Sequence, residues 1–115
     1  MPNYTASEQN LTDVFHALAD PTRRAVLIQL RNGPAAVAKL FEAFDMALPS
    51  FTQHLQVLED CELISSEKKG RVRICRLEPS TMVETEQWMA EQRRYWEARL
   101  EKLALYLESP DQDST

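Results

Sequence analysis

Side chains that can hydrogen-bond to nucleotide bases lie close together between residues 48 and 56. Glutamine can pair with adenine through two hydrogen bonds, and a serine hydroxyl can bond to several bases. Ser50, Gln53 and Gln56 are therefore candidates to read base edges, and Leu48 could contact a thymine methyl group. The solvated face of an ordinary helix carries the same residue types, so the neighbouring segments must decide between the two interpretations.

A basic cluster occupies residues 68–73, although the whole chain has a net charge of -5. A local strip of positive charge can bind phosphates even on an acidic protein. The alternative is a hairpin that carries lysines for solubility. Near a helix N-terminus, Thr52 or Ser50 could bind a phosphate as well. His54 is expected to pack at the core margin and bond to backbone or phosphate. The candidate phosphate-binding residues are thus Thr52, His54, Lys68, Lys69, Arg71 and Arg73.

The base-reading candidates need a helix with one buried face, and the apolar spacing predicts one from Pro49 to about Asp60. A shorter helix is predicted over about Ala35 to Phe44, and residues 45–48 form a tight connection. Two helices joined by so short a turn are typical of a helix-turn-helix. The apolar residues of the second helix are Phe51, Leu55 and Leu58.

The basic cluster is expected to lie on a hairpin. At this point of the chain the spacing of the apolar residues changes from a helical repeat to the two-residue repeat of a strand. Residues 71–77 alternate, with Val72 and Ile74 on one face and Arg71 and Arg73 on the other. Residues 63–68 form the expected partner strand, and Lys69-Gly70 the turn, with Gly70 at positive φ. A hairpin directly after a helix-turn-helix is a wing.

Two helices are predicted before this region. The first covers about Leu11 to Ala19, with an apolar stripe of Leu11, Phe15 and Leu18. The second is capped by Asp20, has Pro21 in its first turn and stops at Asn32-Gly33. The fold class is therefore mainly α with a small β-hairpin, a winged helix-turn-helix.

A last helix is predicted from Pro79 to about Glu108. Its apolar residues follow a heptad-like spacing and so form an apolar stripe, the seam, along one side of the helix. On so long a helix the seam needs a partner, which a second copy of the chain can supply. The predicted organisation is a flexible N-terminus (1–10), a winged-helix core (11–78), a dimerisation helix (79–108) and an acidic tail (109–115). The residues of the seam are Met82, Met89, Trp96, Leu100, Leu103 and Leu107.

Several function classes are poorly supported. The chain has two histidines and two cysteines without metal-ligand spacing, and it lacks a nucleophile elbow, a phosphate loop or a carboxylate pair. We therefore expect no enzyme, no metal site and no cofactor. Cys61 and Cys75 are interpreted as small buried hydrophobes. No secretory signal and no membrane span are recognised, so a cytoplasmic location is expected.

Several stretches together resemble the ArsR-type (arsenic-repressor-like) winged-helix regulators. These stretches are Phe15-His-Ala-Leu-Ala-Asp-Pro-Thr-Arg-Arg24, Pro49-Ser-Phe-Thr-Gln-His-Leu-Gln-Val-Leu58, and Leu63-Ile64 with the Lys69-Gly70-Arg71 turn. The resemblance implies a major-groove helix, a backbone-contacting wing, repression relieved by a signal, and a homodimer formed by the first and last helices. The interface residues would be Leu11, Phe15, Met89, Trp96, Leu100, Leu103 and Leu107.

The sequence departs from that family at three places. Metal-sensing members carry cysteine in the third helix, whereas residues 37–42 have none, and the last helix lacks their histidine and acidic ligands. These two departures place the chain in a non-metal-sensing subgroup. Glu62 stands where the family has glycine, so it must accept a positive φ at some cost, or the turn differs.

The leading hypothesis is a repressor that binds double-stranded DNA with a pseudo-palindromic sequence as a homodimer. A winged-helix module that binds a partner protein instead of DNA is the alternative. A third hypothesis is a regulator that senses a ligand, or senses redox state through Cys61 or Cys75. The effector, the operator and the sign of regulation are left open.

Overall fold

The computed structural model of the chain describes residues 6–108. In chain order the helices and strands are α1 (Ala6–Leu18), α2 (Pro21–Gln29), a 3-10 turn (Leu30–Asn32), β1 (Ala35–Ala36), α3 (Val37–Phe41), α4 (Leu48–Asp60), β2 (Ile64–Lys69), β3 (Val72–Leu77) and α5 (Pro79–Glu108). The described residues are mainly helical and include a small antiparallel sheet, as the patterns predict.

Helix α1 begins five residues earlier than predicted. Residues 6–10, which the sequence analysis assigned to a flexible N-terminus, are helical, and the Asn10 side chain donates a hydrogen bond of 3.2 Å to the Cys61 carbonyl. Val14 and Ala17 are its fully buried residues, whereas Phe15 is 38% exposed. The buried face of α1 is therefore rotated relative to the predicted stripe.

Helix α2 starts as predicted, because Asp20 accepts a hydrogen bond of 3.1 Å from the Arg23 amide and Pro21 occupies the first turn. The α-helix ends at Gln29, and a tighter turn carries the chain to Gly33, whose φ is 122°.

The predicted helix over residues 35–44 is wrong in its first and last parts. Ala35 and Ala36 form a short strand that pairs antiparallel with Cys75 and Ile74, and the helix is confined to Val37–Phe41. The sheet is therefore three-stranded in the order β1-β3-β2, and the hairpin is part of it. Alanine favours helix locally, so only the distant partner strand explains this outcome.

The core is built around α4. Phe51, Leu55 and Leu58 are buried, as their spacing predicts, and the Phe51 ring lies 5.3 Å from that of Phe41 and 5.1 Å from that of Phe44. Cys61 and Cys75 are buried free thiols, which confirms their interpretation as small hydrophobes. Burial raises the pKa of both thiols, which disfavours the reactive thiolate.

Two backbone expectations are confirmed and one is corrected. Gly70 has φ 66°, and Glu62 has φ 64°. The turn itself is shifted by one residue: Lys69 pairs with Val72, so Gly70 and Arg71 form a two-residue loop rather than Lys69-Gly70. Glycine at the first position of such a loop fits a type II′ turn.

The described chain divides into two compact units, one reaching Met82 and the other starting at Val83. Helix α5 has the predicted bounds and contributes its first turn to the first unit. Residues 109–115, predicted to be an acidic tail, lie outside the described residues. Within residues 6–108, no helix combines the length and the apolar character that crossing a membrane requires.

Candidate DNA-binding surface

The outward face of α4 carries the predicted base-reading residues. Ser50, Gln53 and Gln56 are all exposed, and Leu48 is 48% exposed. Leu48 is the first residue of the helix, one position earlier than predicted. Because the opposite face is anchored in the core by three large apolar residues, the polar face of α4 is held at the surface.

Two of the polar side chains on α4 already bond within the helix. The Thr52 hydroxyl donates to the Pro49 carbonyl at 3.0 Å, and Gln56 Nε2 donates to Asp60 Oδ1 at 2.7 Å. The amide oxygen of Gln56 is not part of that bond, so it can accept from an exocyclic amino group without rearrangement. Pairing with adenine through two hydrogen bonds needs the amide nitrogen as well. With its nitrogen bonded to Asp60, Gln56 can contact a base through its amide oxygen alone.

His54 lies at the edge of the core with 24% of its side chain exposed. Its Nδ1 accepts a hydrogen bond of 3.0 Å from Arg23 Nη1, and Asp20 Oδ2 lies 3.8 Å from the same atom. Burial would raise the pKa of Asp20, but the hydrogen bond from the Arg23 amide, the positive charge of Arg23 and the hydrogen bond from the Thr22 amide lower it overall. Arg23 is buried beneath this surface, and no local pattern in the sequence singles it out as a functional residue.

The hairpin sorts its basic residues between two faces. The register pairs Lys68 with Arg73 and Ser66 with Cys75, so these four residues share one face of the sheet. Because Cys75 is buried on that face, it is the face that turns toward the domain. Lys69 lies on the opposite face, and Arg71 lies in the turn.

Arg73 is linked to α4 through two consecutive hydrogen bonds. Its Nη1 donates to Ser66 Oγ at 2.8 Å, and the Ser66 hydroxyl donates to Glu59 Oε1 at 2.8 Å. Arg73 also lines an open cleft with Val37, Thr52 and Gln56. The structure therefore brings one wing cation beside the polar face of α4.

Lys69 has a different electrostatic environment. Its Nζ lies 3.2 Å from Glu67 Oε1, and Glu67 Oε2 lies 3.1 Å from Arg76 Nη2. The hydrogen bond from Lys69, followed by the charges of Lys69 and Arg76, lowers the pKa of Glu67. Part of the positive charge of Lys69 is thus already balanced within the hairpin.

Helix α5 exposes a broad apolar surface. The predicted interface residues on this helix are between 52% and 72% exposed, and Leu105 and Tyr106, which the heptad spacing did not single out, are also exposed. On α1, Leu11 is half-buried and Phe15 is exposed. Within residues 6–108, no three His, Cys, Asp or Glu side chains are grouped so that they could hold a metal ion.

Comparison with known proteins gives concordant matches. A model of a helix-turn-helix domain matches residues 18–67. Transcriptional repressor SdpR of Bacillus subtilis is 33% identical over 79 residues, which are 69% of this chain and 88% of that protein. HTH-type transcriptional regulator Rv2034 of Mycobacterium tuberculosis is 31% identical over 100 residues, 87% of this chain and 91% of that protein.

A solved structure extends this similarity. The crystal structure of an ArsR family transcriptional regulator is 49% identical, covers 84% of this chain and 97% of its own, and superposes with a TM-score of 0.75. Proteins named as arsenical resistance regulators are among the other relatives, so the similarity by itself does not separate metal-sensing from other members. Its helix-turn-helix, its wing and these relatives establish that the chain belongs to the ArsR family of winged helix-turn-helix transcriptional regulators.

Proposed function

We propose that this ArsR family member is a cytoplasmic transcriptional repressor that binds a pseudo-palindromic operator in double-stranded DNA as a homodimer. The observation that carries the proposal is the position of Arg73 beside the exposed amide and hydroxyl groups of α4. A helix of this kind enters the major groove with its N-terminal part, while a basic hairpin follows the phosphate backbone.

Each candidate residue then has a stated role. Ser50, Gln53 and Gln56 read base edges, with Leu48 against a thymine methyl group, and Gln56 acts through its amide oxygen. Lys68, Arg71 and Arg73 bind phosphates, and Lys69 contributes less because of its ion pair with Glu67. Thr52 and His54 bind phosphates at the flank of α4.

The homodimer is supported by the exposed apolar residues of α5 and α1. Apolar side chains of this size rarely remain in water over so long a helix, so a second copy of the same helix is a natural cover. A dimer with twofold symmetry places two copies of α4 on half-sites that are about one helical turn apart, or a multiple of it.

The regulator is assigned to a non-metal-sensing subgroup. Two observations support this: residues 37–42 contain no cysteine, and no metal-binding group of side chains is found in residues 6–108. The signal that releases the DNA is therefore of another chemical class. A thiol signal is disfavoured because both cysteines are buried and burial raises the pKa of each.

The experiment is selection of duplexes from a random library, followed by affinity measurements at several salt concentrations. We expect a pseudo-palindromic motif and an affinity that falls with salt. The double variant Gln53→Ala with Gln56→Ala should lose preference for the motif by at least about tenfold, since a good base contact is worth roughly 1–3 kcal/mol. The variant Gln9→Ala, which removes an exposed glutamine from α1, is the matched control.

Two results would contradict the proposal. An unchanged preference in the double variant would show that another surface reads the bases. Absence of any salt-dependent DNA affinity, together with a stoichiometric protein partner, would replace the regulator by a protein-interaction module.

A further inference from the structure

A buried arginine connects three helices of the first unit. Arg23 in α2 is only 9% exposed. Its Nε donates to the Ala17 carbonyl at 2.8 Å and its Nη2 donates to the His16 carbonyl at 3.1 Å, both at the end of α1. Its Nη1 donates to His54 Nδ1 on α4 at 3.0 Å. The last turn of α1 leaves its carbonyls without partners inside the helix. Arg23 supplies a donor to the Ala17 carbonyl and a second donor to the His16 carbonyl, which also accepts from the Ala19 amide.

The chemistry of the guanidinium group determines the state of the histidine. An arginine side chain has only donors and keeps its charge in proteins, so His54 Nδ1 must accept. A neutral imidazole that accepts through one nitrogen carries its proton on the other. The contact with Arg23 is therefore the one expected of a ring that carries its N–H on Nε2.

We propose that Arg23 is a positioning residue for DNA binding, which fixes His54 in the Nε2-protonated tautomer and so directs an N–H donor to a DNA phosphate. This inference deepens the proposed function and rests on it. One further contact supports a fixed geometry: the Asp20 carboxylate accepts a hydrogen bond of 3.1 Å from the Arg23 amide. The backbone and side chain of Arg23 are thus both held, and α4 is held with them.

The groups around His54 restrict which ring nitrogen can carry the N–H. Arg23 and Asp20 are the charged side chains recorded in contact with its Nδ1 in the described residues. An N–H at Nδ1 would face the Arg23 donor, so the contact is compatible only with an N–H at Nε2. Alanine at position 54 would abolish the donor, whereas a well-chosen amide can replace it.

The first test uses the free protein and needs no DNA. The 15N chemical shifts of the His54 ring at neutral pH report which nitrogen is protonated. We expect the Nε2–H tautomer in the unmodified chain and a mixture of the two tautomers in Arg23→Met, which keeps the length of the side chain without its donors. A proton on Nδ1 in the unmodified chain would overturn the assignment, whether or not Arg23→Met folds.

The second test uses two amides of different length. The side-chain nitrogen of glutamine comes close to the place of Nε2, and that of asparagine comes close to the place of Nδ1. We expect His54→Gln to retain most of the operator affinity and His54→Asn to lose at least about 100-fold, as for one hydrogen bond to a charged group lost in each protomer of the homodimer. Equal losses in both variants would overturn the role of Nε2 toward DNA.

The third test couples the two residues. Once Arg23 is replaced by Met, changing His54 to Ala should cost less affinity than it costs in the unmodified chain, because the ring is no longer held. Fully additive losses would contradict the coupling. If the unmodified chain bound no selected duplex, the proposed function would fail, while the tautomer measurement would still decide the Arg23 contact.

Discussion

At the scale of single residues, Glu62 has a left-handed backbone conformation that its residue type disfavours and that its neighbours stabilise. The Leu63 amide donates to the Leu58 carbonyl at 3.0 Å and the Glu62 amide donates to the Glu59 carbonyl at 3.0 Å. These two bonds form a Schellman motif at the end of α4, with Glu62 at the left-handed position that glycine favours. Leu58 and Leu63 are both buried, so their packing holds the strained residue in place.

We predict that Glu62→Gly stabilises the protein by about 1 kcal/mol, because relief of left-handed strain exceeds the added freedom of the unfolded chain. The measurement is urea unfolding at a fixed protein concentration. Glu62→Ala is the control, since it removes the same charge and keeps the Cβ atom. An equal gain from alanine would show that the negative charge, and not the backbone, is unfavourable.

At the scale of elements, Asp20 illustrates how one side chain starts a helix and joins it to another. It caps α2 and lies near His54 on α4. We predict that Asp20→Ala destabilises the protein by about 1 kcal/mol, while Asp20→Asn retains the cap and costs less. Similar losses in both variants at neutral pH would argue that the charge matters more than the cap.

The same carboxylate predicts a pH dependence. The pKa of Asp20 in the folded chain is lowered from its ordinary value of 3.8. A carboxyl group with a lowered pKa contributes stability that is fully present above pH 3.8 and is lost as the pH falls through the folded value. The difference in unfolding free energy between the unmodified chain and Asp20→Asn should therefore shrink on acidification from pH 7 toward pH 3. A difference that stayed constant would contradict this assignment.

In the hairpin, the contributions of individual basic residues to DNA binding can be distinguished by experiment. Arg73 lies beside α4, whereas Lys69 lies on the other face and pairs with Glu67. We predict that Arg73→Ala lowers the magnitude of the slope of log affinity against log salt by about two units, because each protomer of the homodimer loses one phosphate contact. Lys69→Ala should lower it by clearly less. Equal changes in slope would mean that the ion pair opens on binding and that both faces reach the phosphates.

At the scale of the whole molecule, function depends on assembly. The apolar residues of α5 are exposed in a single chain, and a repressor on a pseudo-palindrome needs two copies of α4. We predict that the double variant Leu100→Glu with Leu103→Glu weakens self-association by at least about 30-fold, since the loss of about 2 kcal/mol, the cost of a single hot-spot residue, corresponds to about 30-fold in Kd. Analytical ultracentrifugation measures this, and operator affinity should fall in parallel.

Lys102→Glu is the control for that variant, because it reverses a charge between the two leucines and removes no apolar contact. If the leucine variant remained a dimer, the interface would have to be sought elsewhere. If it became a monomer with undiminished operator affinity, the homodimer would not be the DNA-binding species.

The regular spacing of apolar residues explains which part of the site can be predicted from the sequence. The buried positions of α4 recur with the helical repeat, so their complement, the exposed face with Ser50, Gln53 and Gln56, follows from the residues alone. The Asp20 cap, the positive φ of Gly70 and the long α5 depend on neighbours only a few residues away, and they too could be predicted. The strained φ of Glu62 was recognised only because the surrounding residues resemble a family that has glycine there.

The remaining features were decided by partners far along the chain. Ala35 and Ala36 form a strand because β3, about forty residues later, offers them hydrogen bonds. Arg23 meets His54 only after α1, α2 and α4 have packed together. The four wing cations are equal in the sequence and become different through register, which places Arg73 beside α4 and Lys69 beside Glu67. Local patterns determine which face of an element is buried, whereas tertiary packing determines which polar groups meet, because hydrogen bonds and ion pairs act only at short distances in space.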